Sequence, residues 1–224
     1  MIHVNVFSEL LVKDMSESYE SWANDGACDR IIDDFVFLMI FCGNDFMPQI
    51  PFLNIANNCI QLMINAYCEL LEEEHRFITS DNKPDLGLLQ LILKKVKIVE
   101  ETTFLEKTSD YITSLLSLLD WERDAQQKET LKQEIKNCGD FSHYRKLYYR
   151  MKLGIDVEGS SPSLSSRVDE ATMTRLCSEY FKGLCWVLRY YNDTVPSWSW
   201  IFPYHYTAFA SDLARWVTYG SVAV

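Results

Sequence analysis

Between Asp29 and Cys42 the apolar residues Ile31, Ile32, Phe35, Val36, Leu38, Met39 and Cys42 recur at helical spacing, and Gly43 follows at once. That periodicity predicts a helix, with Asp29, Asp33 and Asp34 near its positive N-terminal end and glycine as its stop. Apolar residues on all sides predict that the helix is buried. The chain then turns through Gly43-Asn44-Asp45-Phe46-Met47-Pro48. Pro48 and Pro51 bracket an extended stretch, because proline lacks the amide hydrogen and restricts the residue before it.

The same spacing recurs along the rest of the chain, which predicts a mainly α protein. Ile55, Cys59, Leu62, Met63, Ala66, Tyr67, Leu70 and Leu71 form a 3.6-residue stripe that closes at Glu72-Glu73-Glu74. Phe77-Ile78-Thr79 and the turn formers Ser80 to Pro84 suggest a small hairpin or a loop, and Asp85 stands where an N-cap belongs ahead of Leu86. A long helical region is expected through Phe104, Tyr111, Leu115, Leu118 and Leu119, followed by a charged, solvated helix face from Glu122 to Lys136. Gly154 to Ser166 has the composition of a mobile loop. Beyond it, Met173 to Tyr191 reads as a strongly apolar helix, followed by closely spaced aromatic residues between Pro196 and Pro203. At the other end, the alternation of Ile2, Val4 and Val6 before Phe7, Leu10 and Leu11 suggests a short strand running into a helix.

Charge narrows the functional classes. With 21 basic against 32 acidic residues the net charge is −11 over 224 residues, so the surface as a whole cannot act as a basic nucleic-acid patch. Any nucleic-acid contact must be local. The longest apolar run, Phe35 to Cys42, is far short of the roughly 20 residues that span a bilayer, and no secretory signal is visible, so an intracellular setting, nucleus or cytoplasm, is expected. Seven cysteines without a C-x-x-C pair or zinc-site histidine spacing read as buried thiols.

Few residues suggest chemistry. Asp45 sits on a turn directly after a buried helix, where a carboxylate can face a cleft and supply one oxygen to Mg²⁺. Helix termination accounts for the same turn without a metal. Trp186, and then Trp198, Trp200, Phe202, Tyr204, His205 and Tyr206, offer ring faces on which single-stranded bases stack, or else side chains for a core. The basic and aromatic stretch His143 to Lys152 suits either a phosphate backbone or a solvated helix face. No Gly-rich phosphate loop or Ser/His/Asp signature is present.

Two strings carry a family resemblance. Ile32-Asp-Asp-Phe-Val-Phe-Leu-Met-Ile-Phe-Cys-Gly-Asn-Asp-Phe-Met-Pro48 is one. The other is Gly183-Leu-Cys-Trp-Val-Leu-Arg-Tyr-Tyr191 with Val195-Pro-Ser-Trp-Ser-Trp-Ile-Phe-Pro-Tyr-His-Tyr206. Together they resemble the Xrn family of 5′→3′ exoribonucleases, as do Leu89-Gln-Leu-Ile-Leu-Lys-Lys and Tyr148-Tyr-Arg-Met-Lys152 between them. The resemblance implies a processive, Mg²⁺-dependent hydrolase of single-stranded RNA bearing a 5′-monophosphate. Asp45 would be a catalytic metal ligand, Trp186 would stack on a base near the RNA 5′ end, and the loop with Tyr204 and His205 would support that RNA-binding wall.

The resemblance also implies a division of the chain. Residues 1–50 would complete the edge of an α/β, flap-endonuclease-like nuclease region, and 51–153 would form a helical domain. Residues 154–172 would be a mobile linker, and 173–224 a helix with its aromatic and proline-rich loop. Most metal-binding carboxylates and the 5′-phosphate pocket of the family precede anything similar to this chain, which reads as a middle piece, inactive alone, whose missing carboxylates would be encoded upstream or carried by a separate chain. Gln49 replaces the family's usual His, and Thr207-Ala208 its Ala-Pro. A non-catalytic helical module that binds RNA or a protein is the alternative.

Overall fold

The computed structural model describes residues 4–16, 27–121, 124–157 and 164–219. The expected strand residue Ile2, the start of the charged stretch at Glu122 and the 158–163 part of the expected linker lie outside the described residues. The chain divides into two compact units, one of Met1–Lys97 with Cys177–Val224 and one of Ile98–Leu176.

In the first unit α1 (Val4–Ser16) precedes α2 (Ala27–Met39), which tightens into a 3-10 turn at Ile40–Cys42. Val4 and Val6 are helical, not extended; the buried positions of α1 are Leu11 and Met15, at helical spacing. Gly43 ends the 3-10 turn at φ +90°, and its N–H donates to the carbonyl of Ile40. After the extended stretch come a 3-10 turn at Ile55–Asn57, α3 (Cys59–Glu74), a two-stranded antiparallel hairpin of β1 (Thr79–Ser80) and β2 (Lys83–Pro84), and α4 (Leu86–Val96). Asp85 caps α4 by accepting the N–H of Leu88 at 3.0 Å, as its position ahead of the apolar run predicts.

The C-terminal part of α9 (Leu164–Asn192) and α10 (Ala210–Tyr219) complete this unit, and α10 packs on α4. Phe181 stacks on Trp216 with ring centroids 5.0 Å apart, and the Gln90 side chain donates to the carbonyl of Ala214 at 3.1 Å. No sequence expectation covered α10. Its buried residues Ala210, Leu213 and Ala214 recur at helical spacing, so a local signal for this helix is present in the sequence.

α2 is buried on one face only. Ile31, Asp34, Phe37 and Leu38 are inside, while Ile32, Phe35 and Val36 are half-buried. Asp34, read from sequence as an N-terminal helix acid, is fully buried. Its carboxylate accepts from Tyr67 Oη and Ile78 N–H at 2.7 Å each, from Thr79 N–H at 2.7 Å and from Thr79 Oγ1 at 2.5 Å. Burial pushes the Asp34 carboxyl above its ordinary range, and the hydrogen bonds from Thr79, Tyr67 and the two backbone amides offset part of that. Arg30 extends the clamp, donating to the Thr79 carbonyl and lying over the Phe77 ring at 5.0 Å.

The cysteines are less uniform than expected. Cys42, Cys59, Cys138 and Cys177 are buried, Cys68 and Cys185 are half-buried, and Cys28 is exposed. Cys42 and Cys59 bring their sulfurs to 2.9 Å, and burial holds the Cys42 thiol protonated.

The second unit contains α5 (Ile98–Glu106), α6 (Thr108–Leu118), a 3-10 turn at Leu119–Trp121, α7 (Ala125–Lys136), α8 (Phe141–Leu153) and the start of α9. The expected continuous helix is broken at Lys107, whose backbone leaves the helical region at φ −126°, ψ 27°. Its core is aromatic: Phe104 lies 5.0 Å from Tyr144 and 6.2 Å from Phe141. In the basic stretch of α8, Tyr144, Leu147, Tyr148 and Tyr149 face this core, while Arg150 pairs with Glu134 at 2.6 Å. Arg145 and Lys152 lie over the rings of Tyr149 and Tyr148. The aromatic half of that stretch therefore serves packing. Gly154 ends α8 in the left-handed region, and α9 begins at Leu164, inside the expected linker.

Each buried donor left without an acceptor costs about 1–3 kcal/mol. Asp34→Asn turns one acceptor oxygen into a donor facing donors, so urea unfolding is expected to show a loss of about 2–4 kcal/mol. Exposed Asp120→Asn is expected to stay within about 0.5 kcal/mol of the parent.

Candidate nucleic-acid interface

The turn after α2 is held by its own backbone and by one side chain. Asn44 Oδ1 accepts from the N–H groups of Phe46 and Met47 at 2.8 and 2.9 Å, and the Asn44 N–H donates to the Met47 carbonyl at 3.0 Å. Ile50 N–H donates to the Phe41 carbonyl at 3.0 Å, closing the loop on the end of the helix. A Cβ on Gly43 would lie 3.1 Å from both Cβ and N of Gln49, so the closure and the positive φ both call for glycine. Asp45 is exposed at the apex. Beside it the Asn44 Nδ2 is buried and has no hydrogen-bond partner among the described residues, which leaves a donor next to the carboxylate.

Phe46 and Met47, the two residues after Asp45, pack the turn onto α9. The Phe46 ring meets Trp186 at 5.1 Å and Tyr190 at 4.8 Å, edge-on to both. Met47 is buried against Gly183, where a Cβ would come within 2.4 Å of its side chain and 3.0 Å of Trp200 Cη2. A side chain at this position would push the thioether end of Met47 aside and press on Trp200, so glycine allows the turn to sit this close to the helix.

Trp186 is the centre of an aromatic wall. Its ring is parallel to Tyr190 within 9° at 5.4 Å, and Trp200 lies 5.4 Å away at 31°. Its Nε1 donates to the Ser197 carbonyl at 3.1 Å, fixing the indole against the segment after α9. The wall then reaches solvent, with Tyr190 38 % and Tyr191 50 % exposed. Rings held at fixed tilt and partly exposed to water are suited to stacking on unpaired bases.

The other expected site residues are placed differently. Tyr204 is half-buried and its ring contact is with Phe202, which in turn meets Tyr180. His205 is exposed. Neither forms a ring contact or hydrogen bond with Trp186 among the described residues. Phe46, Met47, Gly183 and Tyr190, which hold the wall to the turn, were not singled out from sequence, whereas Trp200 was, among the aromatic residues after α9. The Trp186 and Tyr190 pair was legible as an i,i+4 pair on one helix face. The contact with Phe46, 140 positions away, had no local signal.

Among the described residues no three His, Cys, Asp or Glu side chains gather to hold a metal ion. Asp45 has the chemistry of one hard-cation ligand, but a single carboxylate does not make a two-ion phosphoryl-transfer site. No helix among the described residues is long and apolar enough to cross a membrane.

Fold and wall together define a mainly α domain that carries an aromatic surface beside an acidic turn. The chain belongs to the Xrn1 helical domain family, whose model matches residues 26–146 and 121–219. It is 25 % identical to human 5′-3′ exoribonuclease 1, over 95 % of this chain and 14 % of that protein. It is also 25 % identical to 5′-3′ exoribonuclease 2 of Arabidopsis thaliana, over 83 % of this chain and 26 % of that protein. The match to the 5′-3′ exoribonuclease 2 homolog of Drosophila melanogaster is again 25 % identical, over 84 % of this chain and 25 % of that protein. The chain thus spans about a quarter or less of the length of these relatives.

Overpacking a close contact costs about 1–3 kcal/mol. Gly183→Ala is expected to lower stability by about that much and to shift tryptophan emission as the wall moves. Met47→Ala in the same chain is expected to relieve part of the loss, read as a positive coupling in a double-mutant cycle.

Proposed function

We propose that this chain is the central, helical segment of a 5′→3′ exoribonuclease, acting on single-stranded RNA with a 5′-monophosphate. The observation that carries the reading is that the turn bearing Asp45 is packed through Phe46 onto Trp186 and Tyr190. In this reading Asp45 contributes one carboxylate to an Mg²⁺ site completed by acidic residues from another part of the polypeptide or from a separate chain. When bound, Mg²⁺ supplies charge to the phosphate oxygens and lowers the pKa of a bound water. Asp45 holds its oxygen at the edge of the wall, and Trp186 stacks on a base to keep the strand beside it. Tyr204 and His205 support the strand farther along the loop.

Residues 1–50 belong, in the same reading, to the edge of the nuclease region. Val6, Phe7 and Leu10 on α1 are each more than half exposed, an apolar face of the kind that packs against further structure. The net charge of −11 restricts RNA contact to the wall, so the grip on the 5′-phosphate comes from elsewhere in the assembly.

The test is binding and hydrolysis of a short 5′-phosphorylated single-stranded RNA. One stacked base contributes about 1–3 kcal/mol, so Trp186→Ala is expected to weaken binding by about 5- to 100-fold. The chain alone is expected to leave the RNA intact. A polypeptide or complex that supplies the remaining carboxylates is expected to degrade it with Mg²⁺, and Asp45→Asn to reduce that rate by at least about 100-fold. Degradation unaffected by Asp45→Asn would overturn the assignment of Asp45. Mg²⁺-independent binding with no hydrolysis in any such assembly would leave a non-catalytic module.

A further inference from the structure

The aromatic wall does not end at Trp186, and its continuation differs in charge from the rest of the chain. Trp186 is enclosed by Phe46, Tyr190 and Trp200, with its indole nitrogen bonded to Ser197. Tyr190, one helical turn on, repeats the ring orientation within 9° and is 38 % exposed. Phe46 braces it at 4.8 Å and Tyr191 meets it edge-on at 5.5 Å. A ring stacked on Trp186, braced by Phe46 and Tyr191 and still more than a third exposed is held in place to receive a further flat partner without losing much side-chain entropy.

Arg189 precedes Tyr190 on the same turn of α9. It is exposed and forms no ion pair among the described residues, in a chain whose net charge is −11. It lies three positions after Trp186, on the same side of the helix, and its charge, with that of Lys83, reaches Cys185. Asp193 is the nearest acidic residue in sequence, and its N–H donates to the Arg189 carbonyl at 2.9 Å. A cation in the last turn of a helix also complements the helix dipole. That role needs no ligand, and the experiment must separate it from phosphate binding.

We infer that Arg189 and Tyr190 form a second nucleotide position next to Trp186, with the Tyr190 ring stacking on a base and the Arg189 guanidinium contacting a backbone phosphate. The inference rests on the single-stranded RNA reading above and adds the residues that extend it by one nucleotide.

The test is fluorescence anisotropy of the full chain with labelled single-stranded RNA across a series of salt concentrations. Tyr190→Ala is expected to weaken binding by about 5- to 100-fold at every salt concentration, and Tyr190→Phe to stay within about twofold of the parent. Arg189→Gln is expected to flatten the slope of log affinity against log salt by about 0.7, the share of one phosphate contact on a single strand, while Tyr190→Ala leaves the slope unchanged. A helix-dipole role for Arg189 would change the melting temperature and leave the salt slope as it was. An unchanged slope in Arg189→Gln, or parent-like binding by a folded Tyr190→Ala, overturns this inference if Trp186→Ala still weakens binding. Parent-like binding by Trp186→Ala as well overturns the RNA reading itself. Should Tyr190→Ala fail to fold, Tyr190→Leu replaces it, keeping apolar volume without an aromatic face, and the same loss of binding is expected.

Discussion

The buried carboxylate of Asp34 accepts four hydrogen bonds, and the placement of everything after α2 in the first unit follows from it. Through Tyr67 it ties α2 to α3, and through Ile78 and Thr79 it ties α2 to the hairpin that leads into α4. A carboxylate without solvent is costly unless its donors are arranged around it, so alternative packings of α2 leave charge or amides unpaired. The end of the helix is thereby set, and with it the Gly43 turn that carries Asp45.

From that turn the organisation becomes steric and aromatic. The absence of a side chain at Gly183 lets Met47 sit against α9, and Phe46 then meets Trp186 and Tyr190. An exposed carboxylate and a set of partly exposed rings come to share one rigid support. For a chain this acidic, stacking is a suitable way to hold a nucleic acid, because it depends on ring faces and not on a broad positive field.

Much of the helical plan was legible because it depends on short-range physics. The stripes that became α2, α3, α4 and the later part of α9 were readable from spacing, as were the stop at Gly43, the cap at Asp85 and the hairpin at Thr79 to Pro84. The failures have equally specific causes. Val4 and Val6 alternate like a strand, yet their neighbours Leu11 and Met15 supply a helical buried face. The break at Lys107 carries no glycine or proline. The stretch His143 to Lys152 read as a phosphate contact or a solvated helix face, and the burial of its aromatic half beside Phe104 and Phe141 had no local signal. Asp34 looked like a helix-end acid because sequence displays its position on α2 and not the donors that surround it.

The sequence by itself determined the mainly α character, the family resemblance in two separated strings and the candidacy of Asp45 and Trp186, since these rest on local spacing and on residue types. Tertiary structure decided that the two candidates lie beside one wall, that Phe46, Gly183 and Tyr190 join them, and that Tyr204 and His205 form no ring contact or hydrogen bond with Trp186 among the described residues. The physical reason is distance along the chain. Contacts between residues 140 positions apart depend on how buried charge and close packing orient whole helices, and no local pattern records that orientation.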